Sequence, residues 1–164
     1  MHSTRLLSLA GVVVGIVGLA LTSLDTEGEG LLAGIHAQNP DAPGGIPTIW
    51  GGLDLWAQWL VVILMIVLVV LALRPPLRAK LDWMSALVTT VIGVGLLIYA
   101  IVKFVDAGDK ADKLAALFGQ LAAAGMPGVE AFGVGRGVGF VVLFVGTALV
   151  IFGGAMGLVG SSDE

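Results

Sequence analysis

The segment Asp25-Thr26-Glu27-Gly28-Glu29-Gly30 is the stretch whose residue types and spacing come nearest to a known chemistry, that of calcium binding. Oxygen donors at alternate positions ahead of a glycine open a calcium loop, because the glycine lets the chain turn back around the cation. Here the longer Glu stands at two of the three early ligand positions. The closing position, which should carry a bidentate Glu, falls on His36. The expectation is a solvated acidic loop with no metal. The two histidines, His2 and His36, flank the first apolar run and so fall on opposite sides of a membrane, where one chain cannot bring them to a shared haem or metal. Ser161 and Ser162 lack a nucleophile motif around them. No phosphate-binding glycine loop, dinucleotide fingerprint or catalytic carboxylate pair occurs. The absence of cysteine removes thiolate nucleophiles, cysteine-ligated zinc, iron–sulfur clusters and covalent c-type haem. No catalytic residue, metal or cofactor is expected, and the chain reads as a non-enzyme.

The elements that would hold such residues point to a membrane. Only 12% of the 164 residues are charged, and the mean hydropathy is +1.03. A soluble domain carries about a quarter of charged residues to cover its surface. The apolar residues run in unbroken blocks without amphipathic interruption. With a net charge of −4 and scattered basic residues, a nucleic-acid surface is excluded.

Four blocks are long enough to span, since about 20 apolar residues cross about 30 Å of hydrocarbon. They cover about 6–24, 55–73, 83–102 and 137–160, separated by loops at 25–54 and 103–136. The expected fold is all-α, a single membrane domain of four transmembrane helices in an antiparallel bundle. The first block also resembles a signal peptide ending near Thr22 or Ser23, but its length favours a retained anchor.

Orientation follows from the short turn between the second and third blocks. Arg74, Arg78 and Lys80 make it strongly basic, and short basic loops are retained inside. The expectation is a multi-pass protein of the cell membrane with both termini cytoplasmic and the two long loops outside. Pro75 and Pro76 end the second helix, and Asp82 is placed to cap the third. Trp50, Trp56, Trp59 and Trp83 fall at block edges, where indoles anchor in the headgroup region. In the second long loop, Leu114, Leu117, Phe118 and Leu121 share a helical face. Asp106–Lys110 and Asp109–Lys113 stand at ion-pair spacing. A short amphipathic surface helix is expected there.

Two features of the blocks bear on function. None carries an ionisable residue in its central region, which counts against proton relays and ion-coupled carriers. Small residues recur instead. Gly139, Gly146, Gly153 and Gly160 repeat every seventh position, Gly157 adds a Gly-xxx-Gly pair, and the first block offers Gly11, Gly15 and Gly18. The third offers Ala86, Thr90, Gly93 and Ala100. Such stripes let helix backbones approach closely, within one bundle or against a partner. The resulting expectation is a scaffold, assembly or accessory subunit of a larger membrane complex, whose partners are membrane lipids and other membrane subunits or itself. The alternative is a small channel or transporter for an uncharged solute or lipid, acting alone or as a homo-oligomer. A dry packed axis would favour the first and a polar stripe the second.

Overall fold

The computed structural model describes residues 1–38, 40, 44–125 and 130–159. Within them the order is α1 (Ser3–Ala20), β1 (Leu24–Thr26), α2 (Glu29–Gln38), α3 (Leu55–Leu73), α4 (Trp83–Ala123), β2 (Val134–Arg136) and α5 (Gly139–Val159). Four of the five helices, α1, α3, α4 and α5, are long and apolar enough to cross a membrane. Gly160, Ser161 and Ser162 lie outside the described residues.

The helix directions follow from which residues meet. Along α1 and α5, Ser8 faces Gly153, Gly11 faces Gly146 and Gly18 faces Gly139, so the two run in opposite directions. Along α4 and α5, Ala86 lies by Gly157, Gly93 by Ile151 and Phe104 by Phe140. The α3 helix packs beside α1 through Met65 near Gly15, and meets α4 where Trp56 stands edge-on to Tyr99. The core is therefore an α1–α5–α4 layer with α3 laid along its flank. Much of α3 is left uncovered by protein, including Leu55, Trp56, Trp59, Ile63, Ile66 and Val70.

The first helix begins and ends earlier than its apolar block. Beyond Ala20 the backbone is taken by loop pairing: Ile49 N–H donates to the Leu21 carbonyl (2.9 Å) and Ser23 N–H to that of Pro47 (3.1 Å). On its other side, β1 pairs antiparallel with β2, Leu24 opposite Arg136 and Thr26 opposite Val134. One short segment thus stitches the two long loops together, a connection that no periodicity in the loops announces.

The largest departure from expectation is α4. No separate surface helix forms after residue 102; one helix of 41 residues runs from Trp83 to Ala123. At 1.5 Å per residue it is about 61 Å long, twice the about 30 Å of a hydrocarbon core. The reason lies in its buried stripe. Ala86, Gly93, Ala100 and Ala107 are buried at a seven-residue period, followed by Ala111 and Phe118. The same face is covered throughout, first by α5 and then by the loops. Arg136 lies across it, its Nε donating to the Phe104 carbonyl (3.1 Å) and its guanidinium 4.3 Å from the Phe104 ring centre. The missing Cβ of Gly108 makes room for that guanidinium. Farther out, Phe118 is fully buried against Phe132 and Gly28. Leu117, expected on the apolar face, is exposed. Among the described residues the ion pair on this helix is Lys103–Asp106 (3.8 Å); the two pairs expected from spacing do not form.

Candidate functional site

Three places in the bundle combine specific residues with a defined geometry: the glycine seam, the cavity beside it and the basic turn. A Cβ on Gly11 would stand 2.6 Å from the Gly146 carbonyl oxygen, and one on Gly18 would stand 2.7 Å from the Leu143 nitrogen. Reciprocally, a Cβ on Gly146 would lie 2.6 Å from Gly15 N and one on Gly139 2.9 Å from Gly18 O. Gly153 would collide with the Ser8 hydroxyl. No side chain fits between these backbones, which are close enough for dispersion and Cα–H contacts. Gly157 belongs to another face: its nearest neighbour is the Ala86 Cβ of α4 (2.8 Å). Gly15 is looser, its own Cβ position meeting only Met65 Cε at 3.5 Å. Gly11, Gly18, Gly139, Gly146 and Gly153 therefore serve the α1–α5 contact, Gly93 and Gly157 serve α4–α5, and Gly15 faces α3, all within the chain.

Beside the seam, α1, α3, α4 and α5 enclose a cavity of about 30 Å³, lined almost wholly by carbon and bounded by Val12, Leu53, Met65, Leu96, Tyr99 and Val150 among others. Roughly 10–15 Å³ suffices for one water, but a water also needs polar partners. The Thr147 hydroxyl that borders the space is already bonded back to the Leu143 carbonyl (3.1 Å). Tyr99 is different: its hydroxyl is buried and, among the described residues, has no hydrogen-bond partner. Lys103, one turn on, also borders the cavity and holds its ammonium 5.7 Å from the Tyr99 ring centre. Across Val12, Leu19, Val61 and Met65 the cavity adjoins an open apolar groove of about 740 Å³ between α1 and α3.

At the other end of the bundle, Arg5 carries a role that composition does not reveal. Its side chain is buried, 3% exposed. Nη1 donates to the carbonyls of Ala72 (3.0 Å) and Arg74 (2.6 Å), with Leu71 at 3.4 Å, and Nε donates to that of Ala79 (2.8 Å). The His2 N–H also bonds the Leu77 carbonyl (3.1 Å), so the start of α1 is fastened to the turn. A cation here meets the negative end of the α3 dipole. Arg74 and Arg78 are exposed and Lys80 is half-buried. Asp82 caps α4 by accepting from Ser85 N–H (3.2 Å) and Ser85 Oγ (2.6 Å). That hydroxyl bond is the main reason its carboxyl sits below the ordinary carboxylate value.

The remaining sequence candidates scatter. Asp25 lies in β1 opposite Gly135, whereas Glu29 opens α2. Among the described residues no group of three or more potential ligands converges on one point. The His36 ring packs against Gly44. Trp56, Trp59 and Trp83 are more than half exposed, but Trp50 is half-buried in the core and its carbonyl accepts from Gln58 Nε2 (3.1 Å). Gln58 also reaches the Leu53 carbonyl (3.3 Å), which makes it the clamp of the loop that enters α3. Its position one turn into an apolar helix was the available signal, since a polar amide there needs a partner.

No protein-family model, curated protein or solved structure matches this chain.

Proposed function

We propose that this chain is a non-catalytic scaffold, assembly or accessory subunit of a larger membrane complex. It lies in the cell membrane as a four-helix antiparallel bundle with both termini and the Arg74–Lys80 turn cytoplasmic. The observation that carries this reading is the filled axis. Glycine backbones close α1 onto α5, and the space that remains is small and lined by carbon. A path for a polar solute would need a continuous polar lining. Orientation rests on the three basic residues of the turn, set against loops whose lysines and arginine are interleaved with acids. Because the glycine seam is used inside the bundle, a partner would meet the uncovered face of α3 or the cap built from α2, β1, β2 and the outer half of α4.

The test is purification from native membranes in mild detergent, with mass spectrometry of co-purifying chains. A partner recovered in stoichiometric amount supports the proposal. A protein that purifies alone and moves solute or lipid across reconstituted vesicles overturns it. That second outcome is the alternative reading, a small transporter for an uncharged solute or lipid. The specific feature in its favour is the α1–α3 groove adjoining the cavity that Tyr99 borders, together with a Tyr99 hydroxyl that has no partner among the described residues.

A further inference from the structure

The basic turn is more than a run of charge, because it folds around a cleft. Arg5, Arg74, Lys80, Leu81, Asp82 and Trp83 border an open space of about 460 Å³ between the end of α3 and the start of α4. Among the described residues the charges are unbalanced. Arg5 is held by backbone carbonyls, which leave its positive charge uncancelled. Among the described residues neither Arg74 nor Lys80 makes an ion pair. One carboxylate among the described residues stands at the rim, Asp82, which Ser85 bonds and which lies in the field of Arg74, so it offsets one of these cations and leaves an excess of positive charge. Arg78 on the same turn adds a further cation. Apolar groups border it as well, Leu81 buried and Trp83 exposed, and Leu77 stands exposed on the same turn.

Cations gathered at a span boundary, with an exposed indole and an exposed leucine alongside, suit a ligand with an anionic head and an aliphatic body. We propose that this cleft binds the phosphate headgroup of an anionic glycerophospholipid. Arg74 and Lys80 contact the phosphate oxygens, and Leu77 and Trp83 flank the glycerol and upper acyl carbons. Basic pockets between membrane helices recognise phospholipid heads through such charge-assisted bonds. Arg5 stays on the α3 carbonyls and adds its field without contacting the lipid. The proposal needs the helices to cross a membrane but does not need the subunit role, and it holds for either orientation.

The experiment is native mass spectrometry of the full chain released from mixed micelles of phosphatidylglycerol and phosphatidylcholine. Wild type should retain phosphatidylglycerol in preference, with one dominant adduct. R74Q/K80Q should lower that retention about tenfold, whereas R74K/K80R, which keeps both charges, should retain the lipid. K110Q/K113Q, neutralised at the far end, should behave as wild type. Equal retention of the two lipids, or undiminished phosphatidylglycerol on R74Q/K80Q, would overturn the proposal. A saturable rise in melting temperature with inorganic phosphate, without any lipid preference, would assign the cleft to a free anion and overturn it too. Melting curves in phosphatidylcholine check that each variant is folded. If R74Q/K80Q unfolds, the single variants R74Q and K80Q must each lower retention, and unchanged retention in both counts against the site.

Discussion

Arg5 Nη1 donates to the Ala72 carbonyl at 3.0 Å, across 67 positions of sequence. In a continuing helix the carbonyls of Leu71 and Ala72 would accept from the N–H groups of residues 75 and 76. Both are proline and have none. The guanidinium supplies the missing donors and at the same time places a cation on the helix C-terminus. Arg5→Ala should therefore lower stability in detergent by about 3 kcal/mol, the scale of losing charged hydrogen bonds to buried carbonyls. Arg5→Lys, with one ammonium instead of a planar fork, should recover only part of it. Arg78→Ala, on an exposed side chain, should change little. A melting temperature for Arg5→Ala equal to that of Arg78→Ala would show that the turn does not depend on the fork.

The seam predicts a contrast between glycines that look alike in sequence. Gly11→Ala and Gly146→Ala each drive a methyl into backbone and should cost about 1–3 kcal/mol, as overpacking does. Gly15→Ala meets only the flexible end of Met65 and should be tolerated. Gly95, in α4, has nothing within 4 Å of its Cβ position. There alanine should stabilise by up to about 1 kcal/mol through helix propensity. Thermal unfolding of the four variants in one detergent reads the order directly. Similar losses for Gly15 and Gly11 would mean that the spacing, rather than the contact, carries the effect.

How much of this was legible varies with the range of the interaction. The four long helices follow from runs of apolar residues, and the Asp82 cap follows from a local pattern. The donor for the Leu71 and Ala72 carbonyls was legible as a need, because two prolines after an apolar helix leave both without partners. That Arg5 meets it was not, since nothing local links residue 5 to residue 72. The unbroken α4 was written in its stripe: Ala86, Gly93 and Ala100 continue in step to Ala107. Charges at Lys103, Asp106 and Asp109 masked that continuity, because they end an apolar run, which a helix can outlast. The β1–β2 pairing joins three-residue segments more than a hundred positions apart, and segments so short carry no periodicity to read.

Asp82 gives a pH dependence of known sign. Its folded carboxyl is held below the ordinary value by the Ser85 hydroxyl first, and partly by the Arg74 charge. A depressed folded value means that the cap contributes fully above the ordinary carboxylate range. The contribution fades as pH falls through that range and through the folded value below it. Asp82→Ala should lose about 1 kcal/mol at neutral pH, the usual worth of an N-cap. The gap between variant and wild type should close on acidification. A gap that persists unchanged at low pH would show that the carboxylate's charge is not what the cap uses.

The proposed orientation is open to labelling. Cysteines introduced singly at Ala79, in the basic turn, and at Ala37, near the end of α2, lie on exposed positions at opposite ends of the bundle. In intact cells an impermeant thiol reagent should modify Ala37→Cys only, and Ala79→Cys only after lysis. Neutralising Arg74, Arg78 and Lys80 together should weaken that asymmetry, since they carry the retention signal. Labelling of Ala79→Cys from outside in the otherwise native chain would reverse the assignment.

Tyr99 separates the two functional readings. A buried hydroxyl without a partner costs about 1–3 kcal/mol, a penalty that phenylalanine of the same shape does not carry. In delipidated protein Tyr99→Phe should therefore melt at or above the wild-type temperature. A drop would mean that the chain itself satisfies the hydroxyl. The measurement is then repeated after adding back a lipid extract of the native membrane. If a solute or lipid enters from the α1–α3 groove and accepts a hydrogen bond from the phenol, the extract stabilises wild type more than Tyr99→Phe, in proportion to what is bound. Such a difference would favour the carrier. Equal stabilisation of the two proteins would leave the phenol an unmet group in a closed axis, as the scaffold reading requires.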